Sequence, residues 1–326
     1  MADTDNILKV ENLKINFFTR KGKVYAVDDI SFTLKKGETL GLVGESGCGK
    51  TTTVLGLMKM VPTPGEITGG RILIDGENIM PLSENQMREK VRWEKISMVF
   101  QGAMNCLTPV YTVGKQMMET IQEHKDIGNS EAKKKIINYL NLVGLPEEII
   151  RRYPHELSGG MKQRVVIATA LFLEPKIVIC DEPTTALDVV VQAQIINLLK
   201  ELKKRLGLSV IFITHDLATE AEVADRLLVM YAGKLVEIGT NEQIYGKGGL
   251  IHPYTEKLFN ATPRLHEKVE ELSFIPGIPP DLVDPPSGCR FHPRCSKVME
   301  RCKKNEPPLI EVEPDHWIAC WRNTND

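Results

Sequence analysis

Thr39-Leu40-Gly41-Leu42-Val43-Gly44-Glu45-Ser46-Gly47-Cys48-Gly49-Lys50-Thr51-Thr52 joins a strand-like apolar run to the pattern G-x-x-x-x-G-K-T. The pattern needs a strand before it and a helix after it. Its glycines, with the small residues Ser46 and Cys48, let backbone N–H groups close around phosphate oxygens. Lys50 reaches the outer phosphates, and the Thr51 hydroxyl is placed to ligate magnesium. Thr52 lies in the first turn of the helix, whose positive end faces the anion. These residues predict an α/β fold with a nucleotide at a sheet edge. A glycine-rich turn matching by chance is the alternative, and a second motif downstream argues against it.

That motif is Ile177-Val178-Ile179-Cys180-Asp181-Glu182, an apolar run that reads as a buried parallel strand with two acids at its C-terminal end. Ligands of open α/β sheets sit at that edge. Asp181 is therefore a candidate for the magnesium shell, and Glu182 for polarising the water that attacks the γ-phosphate. Either acid alone would suit a core strand followed by a solvated turn.

Between the two motifs stands Leu157-Ser158-Gly159-Gly160-Met161, ahead of the apolar helical run Val165 to Phe172. Ser158 and the two glycines open a helix on which a phosphate could dock. The segment resembles the signature of ATP-binding cassette (ABC) ATPases, usually LSGGQ; Met161 in place of Gln is a departure found in the peptide-importer branch. The resemblance implies a mixed-sheet P-loop ABC nucleotide-binding domain with a helical subdomain. It also implies head-to-tail pairing, in which one cassette's signature covers the γ-phosphate held by the other.

Further matches follow in the family's order. Gln101, after Met98-Val99-Phe100, resembles the glutamine that reaches magnesium and the attacking water, in a loop facing the membrane subunits. His215, after Ile211-Phe212-Ile213-Thr214, resembles the switch histidine at the γ-phosphate, and Ala186-Leu187-Asp188 the loop that crosses the dimer interface. The family stacks adenine on an aromatic upstream of the phosphate loop, a contact worth about 1–3 kcal/mol. Phe18 and Tyr25 are both candidates, and spacing does not choose between them.

Composition agrees. The chain has 326 residues, 42% of them hydrophobic, enough for a large α/β domain plus a smaller module. A net charge of −2 without a basic cluster gives no footprint for nucleic acid. No apolar run approaches the ~18–20 residues of a membrane span, and Met1 to Glu11 lacks the pattern of a secretory signal. The expected place is the cytoplasmic face of the membrane, held there through partners.

Strand and turn patterns run to about Asp75. Helical ones dominate from about 102 to 173, where Ser130 is expected to cap a helix stopped by Gly144. Strands then return, alternating with an amphipathic helix from Gln192 to Leu206. A hairpin is expected around Ala232-Gly233, and a helix from Gln243 to Asn260 broken at His252-Pro253. The resemblance covers residues 1–260.

Residues 261–326 change character. Nine of the nineteen prolines fall between Pro276 and Pro314, so a small, irregular, extended region is expected. It holds Cys289, Cys295, Cys302 and Cys320, with five, six and seventeen residues between them. Such a group in a cytosolic chain reads as a metal site rather than disulfides. The spacing fits neither zinc ribbons nor common ferredoxins. The stretch Pro285 to Cys295 resembles the C-terminal region of oligopeptide and dipeptide importer ATPases, which implies a [4Fe–4S] cluster on the four cysteines. Zinc, with His292 or His316 replacing a cysteine, is the main alternative, and free or redox-labile thiols are the other. Cys48 reads as a small residue of the phosphate loop, Cys180 as part of a core strand and Cys106 as an unpaired residue of the helical subdomain.

The resemblance as a whole implies the ATP-hydrolysing subunit of a di- or oligopeptide importer. Its implied partners are two transmembrane permeases, a second ATPase of a different chain and, indirectly, an extracytoplasmic peptide-binding protein. Similar importers carry nickel chelates or oligosaccharides. A non-transport ABC ATPase of DNA repair would need insertions or basic surfaces that are not seen, and a purely metal- or redox-sensing module would not need the full catalytic set.

Overall fold

The computed structural model describes residues 5–246, 251–261 and 275–324. The chain divides into one unit of Met1–Leu34, Glu38–Met80 and Phe212–Asp326, and another of Lys35–Gly37 and Pro81–Ile211.

In the first unit, strands β1 (Asn6–Thr19), β2 (Gly22–Lys35), β4 (Gly65–Ile74) and β5 (Glu77–Asn78) form a sheet in the order β2-β1-β4-β5. A second sheet runs β3-β9-β10-β12-β11, built from β3 (Thr39–Val43), β9 (Arg226–Tyr231), β10 (Lys234–Thr240), β11 (Ile310–Glu313) and β12 (His316–Ile318). Every residue of β3 is buried, and the strand lies parallel to β9, from Leu40 opposite Arg226 to Val43 opposite Val229. An apolar run without period two is what a strand covered on both faces requires. The hairpin between β9 and β10 turns at Ala232 and Gly233, with φ of 49° and 81°. Two consecutive positive values match the twist of the flanking strands.

The tail belongs to this sheet: β12 pairs antiparallel with β10, Glu237 opposite Ile318 and Ile238 opposite Trp317. It also supplies part of the core, where Phe291 packs on Tyr231 and Tyr254 with ring centroids 5.1 and 5.3 Å apart. Burying one such ring is worth about 1.5–3 kcal/mol. Helices α1 (Lys50–Leu57), α7 (Leu217–Val223), α8 (Asn241–Tyr245), α9 (Pro253–Asn260) and α10 (Glu300–Lys304) complete the unit. The helix expected over Gln243 to Asn260 is thus two, of which α9 starts at Pro253 with the His252 ring accepting from Tyr254 N. Residues 247–250 of that expectation lie outside the described residues, as does the start of the tail at 262–274.

The second unit holds α2 (Glu84–Lys90), β6 (Ile96–Val99), α3 (Val113–His124), α4 (Asn129–Leu142), α5 (Gly159–Leu171), β7 (Ile177–Asp181) and α6 (Val189–Leu206). Strand β8 (Ser209–Ile213) begins here, and its order is β8-β7-β6, with β6 and β7 parallel. Ser130 is not the cap of α4: the cap lies two residues earlier, at Gly128, with no side-chain bond to the helix. Glycine at that position costs only a few tenths of a kcal/mol relative to serine. Gly144, at φ 74°, ends the helix as expected. Helix α6 starts three residues before Gln192 because Asp188 Oδ1 accepts from Val191 N at 3.0 Å. Among the described residues, no helix is long and apolar enough to cross a membrane.

Candidate functional site

In the first unit, the loop from Gly44 to Gly49 connects buried β3 to α1. Gly44, Gly47 and Gly49 have φ of 149°, 77° and 109°. A Cβ at Gly44 would meet Met230 O, and one at Gly49 would meet Ala26 O. The loop is therefore pressed onto β2 and β9 at two points where only glycine fits. Lys50 Nζ donates to Gly44 O at 2.7 Å and to Glu45 O at 3.1 Å, across the loop. Ser46 and Thr51 are exposed, Thr52 half-buried. Cys48 is buried, and burial pushes its thiol pKa up. Backbone N–H groups, a lysine and a hydroxyl at a helix start are the parts that a triphosphate with magnesium needs.

Of the two aromatics, Tyr25 lies one residue from the Ala26 carbonyl that contacts Gly49, and Lys23 Nζ stands 4.6 Å above its ring. Phe18 is 48% exposed near the end of β1, where its N–H donates to Pro64 O. His215 is exposed in the bend between β8 and α7. Glu220 on α7 is fully buried, and its carboxylate oxygens have no hydrogen-bond partner among the described residues. Burial above all raises its pKa well beyond the ordinary value, with Lys50 opposing and Asp216 adding to the shift.

In the second unit, Asp181 closes β7 and is buried. Glu182 follows with a φ of 49°, a left-handed value that costs a non-glycine residue about 1–3 kcal/mol. Its Oε2 accepts from Gln101 Nε2 at 2.8 Å and from Thr185 Oγ1 at 3.0 Å. Two residues picked out 81 positions apart therefore meet directly.

Ser158 caps α5, its hydroxyl accepting from Met161 N at 3.3 Å, while Leu157 is buried below. A Cβ at Gly160 would lie 2.7 Å from Val191 Cγ1, and one at Gly159 would lie 3.3 Å from Leu187. The glycines thus let α5 approach the start of α6. Asp188 caps α6, and beside it Val189 and Val190 are 81% and 67% exposed.

The four tail cysteines are free thiols that line one pocket together with His252, Phe291, His292 and Trp321. Burial raises the pKa of Cys289 to about 12, and neighbouring thiols add to the shift; Cys295 and Cys320 are raised for the same reasons. The donor set suits a soft metal in identity and location. Ligand geometry is another matter: among the described residues, no group of three or more His, Cys, Asp or Glu is arranged to hold a metal ion. His316 stands elsewhere, its Nε2 bonded to the buried Glu237 at 2.8 Å.

One part of the site had no signal in the sequence. Arg294 of the tail forms a two-point ion pair with Glu45 of the phosphate loop, and Arg290 pairs with Asp28 while donating to Ala232 O. Arginines in an irregular segment read as solvated charges. Their partners lie 249 and 262 residues upstream, beyond any local pattern.

Residues 27–185 match the family described as ABC transporter, and residues 236–302 the one described as oligopeptide/dipeptide transporter, C-terminal region. The chain is 47% identical to the oligopeptide transport ATP-binding protein OppD of Bacillus subtilis, over 98% of this chain and 90% of that one. It is 46% identical to the dipeptide transport ATP-binding protein DppD of Bacillus subtilis, over 97% and 95% of the two chains. OppD of Escherichia coli is 46% identical, over 98% and 94%. Among solved structures, the dimeric MJ0796, a bacterial ABC transporter cassette, aligns with a TM-score of 0.64 at 29% identity, over 72% of this chain and 98% of that one. Structure cbiO1 from Clostridium perfringens, part of the ABC transporter complex cbiONQ, gives 0.64 at 32%, over 74% and 92%.

Proposed function

The chain belongs to the ABC transporter ATPases, among the oligopeptide and dipeptide transport ATP-binding proteins, and from that premise we propose how its residues divide the work. It is an ATP-hydrolysing enzyme with the P-loop α/β fold and mixed sheet of the family, and it powers peptide import.

ATP is held by Gly44 to Thr52, with Lys50 on its outer phosphates and adenine on Tyr25. Tyr25 is preferred over Phe18 because its neighbour Ala26 touches the loop. Thr51, Gln101 and Asp181 would hold magnesium, whose charge would offset the charge developing on the transferred phosphoryl group. Glu182 takes the proton of the attacking water, and His215 contacts the γ-phosphate. The observation that supports this reading is the 2.8 Å bond from Gln101 to Glu182, which orients the acid proposed to polarise the water.

Ser158, Gly159 and Gly160 serve a partner's nucleotide, since this chain's own is held by its phosphate loop. Leu157 and Met161 frame that contact, and Asp188 crosses the interface. Nucleotide touching both halves favours the closed pair, so binding drives closure and hydrolysis lets it reopen. The partners are a second ATPase of a different chain, two permeases at the cytoplasmic face of the membrane and, through them, an extracytoplasmic peptide-binding protein. Functionally the chain divides into a cassette, 1–260, containing the helical subdomain 102–173, and a tail, 261–326.

Cys289, Cys295, Cys302 and Cys320 would hold a [4Fe–4S] cluster, although the described thiols are not arranged as a metal site. The reading is supported by four thiols on one pocket, and of zinc's two substitute ligands that pocket is lined by His292 but not by His316. The test of function is uptake into proteoliposomes by the complex co-purified from membranes. Di- or oligopeptides should enter with ATP and the binding protein. Uptake of nickel chelates or oligosaccharides without peptides would overturn the cargo assignment.

A further inference from the structure

Arg294 lies next to Cys295, yet its side chain turns to the phosphate loop. Nη1 donates to Glu45 Oε2 at 2.6 Å, and Nη2 to Glu45 Oε1 at 2.9 Å. Nη1 also reaches Tyr231 Oη at 3.3 Å, Nε donates to Pro276 O at 2.8 Å, and Nη2 to Ile275 O and Gly277 O at 3.4 Å. The side chain is 6% exposed, so its donors are spent inside the protein. A two-point fork of this kind fixes orientation as well as charge.

Glu45 is held on its other sides too. Its N–H donates to Tyr254 Oη at 2.8 Å, and its carbonyl accepts from Cys48 N at 3.2 Å and from Lys50 Nζ at 3.1 Å. The residue therefore sets the first bend of the loop. Its carboxylate is the wrong charge to stand beside a triphosphate, and in a partly desolvated place that repulsion is weakly screened.

We propose that Arg294 is a positioning residue for the nucleotide. It cancels the charge of Glu45 and holds the opening of the phosphate loop, which makes the tail a working part of the nucleotide site. The inference rests on the reading that Gly44 to Thr52 binds ATP.

The test is MgATP binding by calorimetry on the full chain, with steady-state hydrolysis in the assembled transporter and thermal melting as a check of folding. Arg294→Ala should weaken MgATP about tenfold and raise KM alike, with kcat within about twofold. Arg294→Lys should recover most of the affinity. The double variant Arg294→Ala with Glu45→Gln should recover it as well, because the bare carboxylate is gone; loss of packing alone gives no such rescue. A folded Arg294→Ala with wild-type affinity, or a double variant as weak as the single one, overturns the proposal. Should Arg294→Ala not fold, Glu45→Gln decides: an uncompensated guanidinium should tighten MgATP about threefold or more, and unchanged affinity overturns the proposal. If Lys50→Ala binds MgATP as wild type does, the phosphate-loop reading itself has failed.

Discussion

Two acids show how environment separates roles. Glu182 accepts from Gln101 and Thr185, and if it is the base proposed above, Glu182→Gln should keep MgATP binding, lose nearly all turnover and accumulate the closed pair, visible as a dimer peak in size-exclusion chromatography. Normal turnover would remove Glu182 as the base. Glu220 is the opposite case, buried without a hydrogen-bond partner among the described residues and with its pKa raised well above 4.5 by burial. The folded protein then holds a proton that the unfolded chain releases once pH exceeds about 4.5, so this group's contribution falls as pH rises. Glu220→Gln should melt higher than wild type at neutral pH, with the gap widening upward from pH 4.5; a gap that is constant with pH would refute this. The phosphate-loop residues were legible because each performs a local backbone task that only a few residue types can. Glu220 was not, since its meaning comes from Gly41, whose missing side chain makes room for it.

At the level of elements, the signature is a meeting of two helices. Gly160 faces Val191 at a distance that leaves no space for a methyl group. Gly160→Ala should push α5 from α6 and cut hydrolysis in the assembled complex at least tenfold, while MgATP binding by the isolated chain stays within about twofold. Loss of binding to the same degree would place the defect in the chain's own site. Ser158→Ala should cost about 1 kcal/mol of stability through the lost cap, measured by denaturant unfolding. Strands β3, β7 and β9 and the turn at Ala232-Gly233 were legible from apolar runs and turn chemistry. The start of α4 was not, because glycine and serine cap nearly equally well and the choice between Gly128 and Ser130 is small in energy.

For the molecule as a whole, the tail carries the largest step beyond the sequence. Its prolines and cysteines announced an irregular region, but not that β12 would extend the sheet or that Phe291 would enter the core. Those contacts depend on pairing across long stretches of chain, which period and composition do not encode. If the tail holds the proposed iron–sulfur cluster, anaerobically purified wild type should be brown and replacing Cys289 and Cys302 by Ser should abolish that colour and its visible absorbance; colourless wild type with one zinc per chain would refute the reading. The bond from Arg294 to Glu45 also has a consequence in time. The arginine is made 249 residues after its partner, a delay of roughly 12–50 s at ordinary rates of synthesis. Through that interval the Glu45 carboxylate lacks its arginine, so on the proposal above a ribosome-bound chain stalled before Arg294 should bind MgATP about tenfold more weakly than the finished chain, and full readiness for fuel arrives with the last tenth of translation.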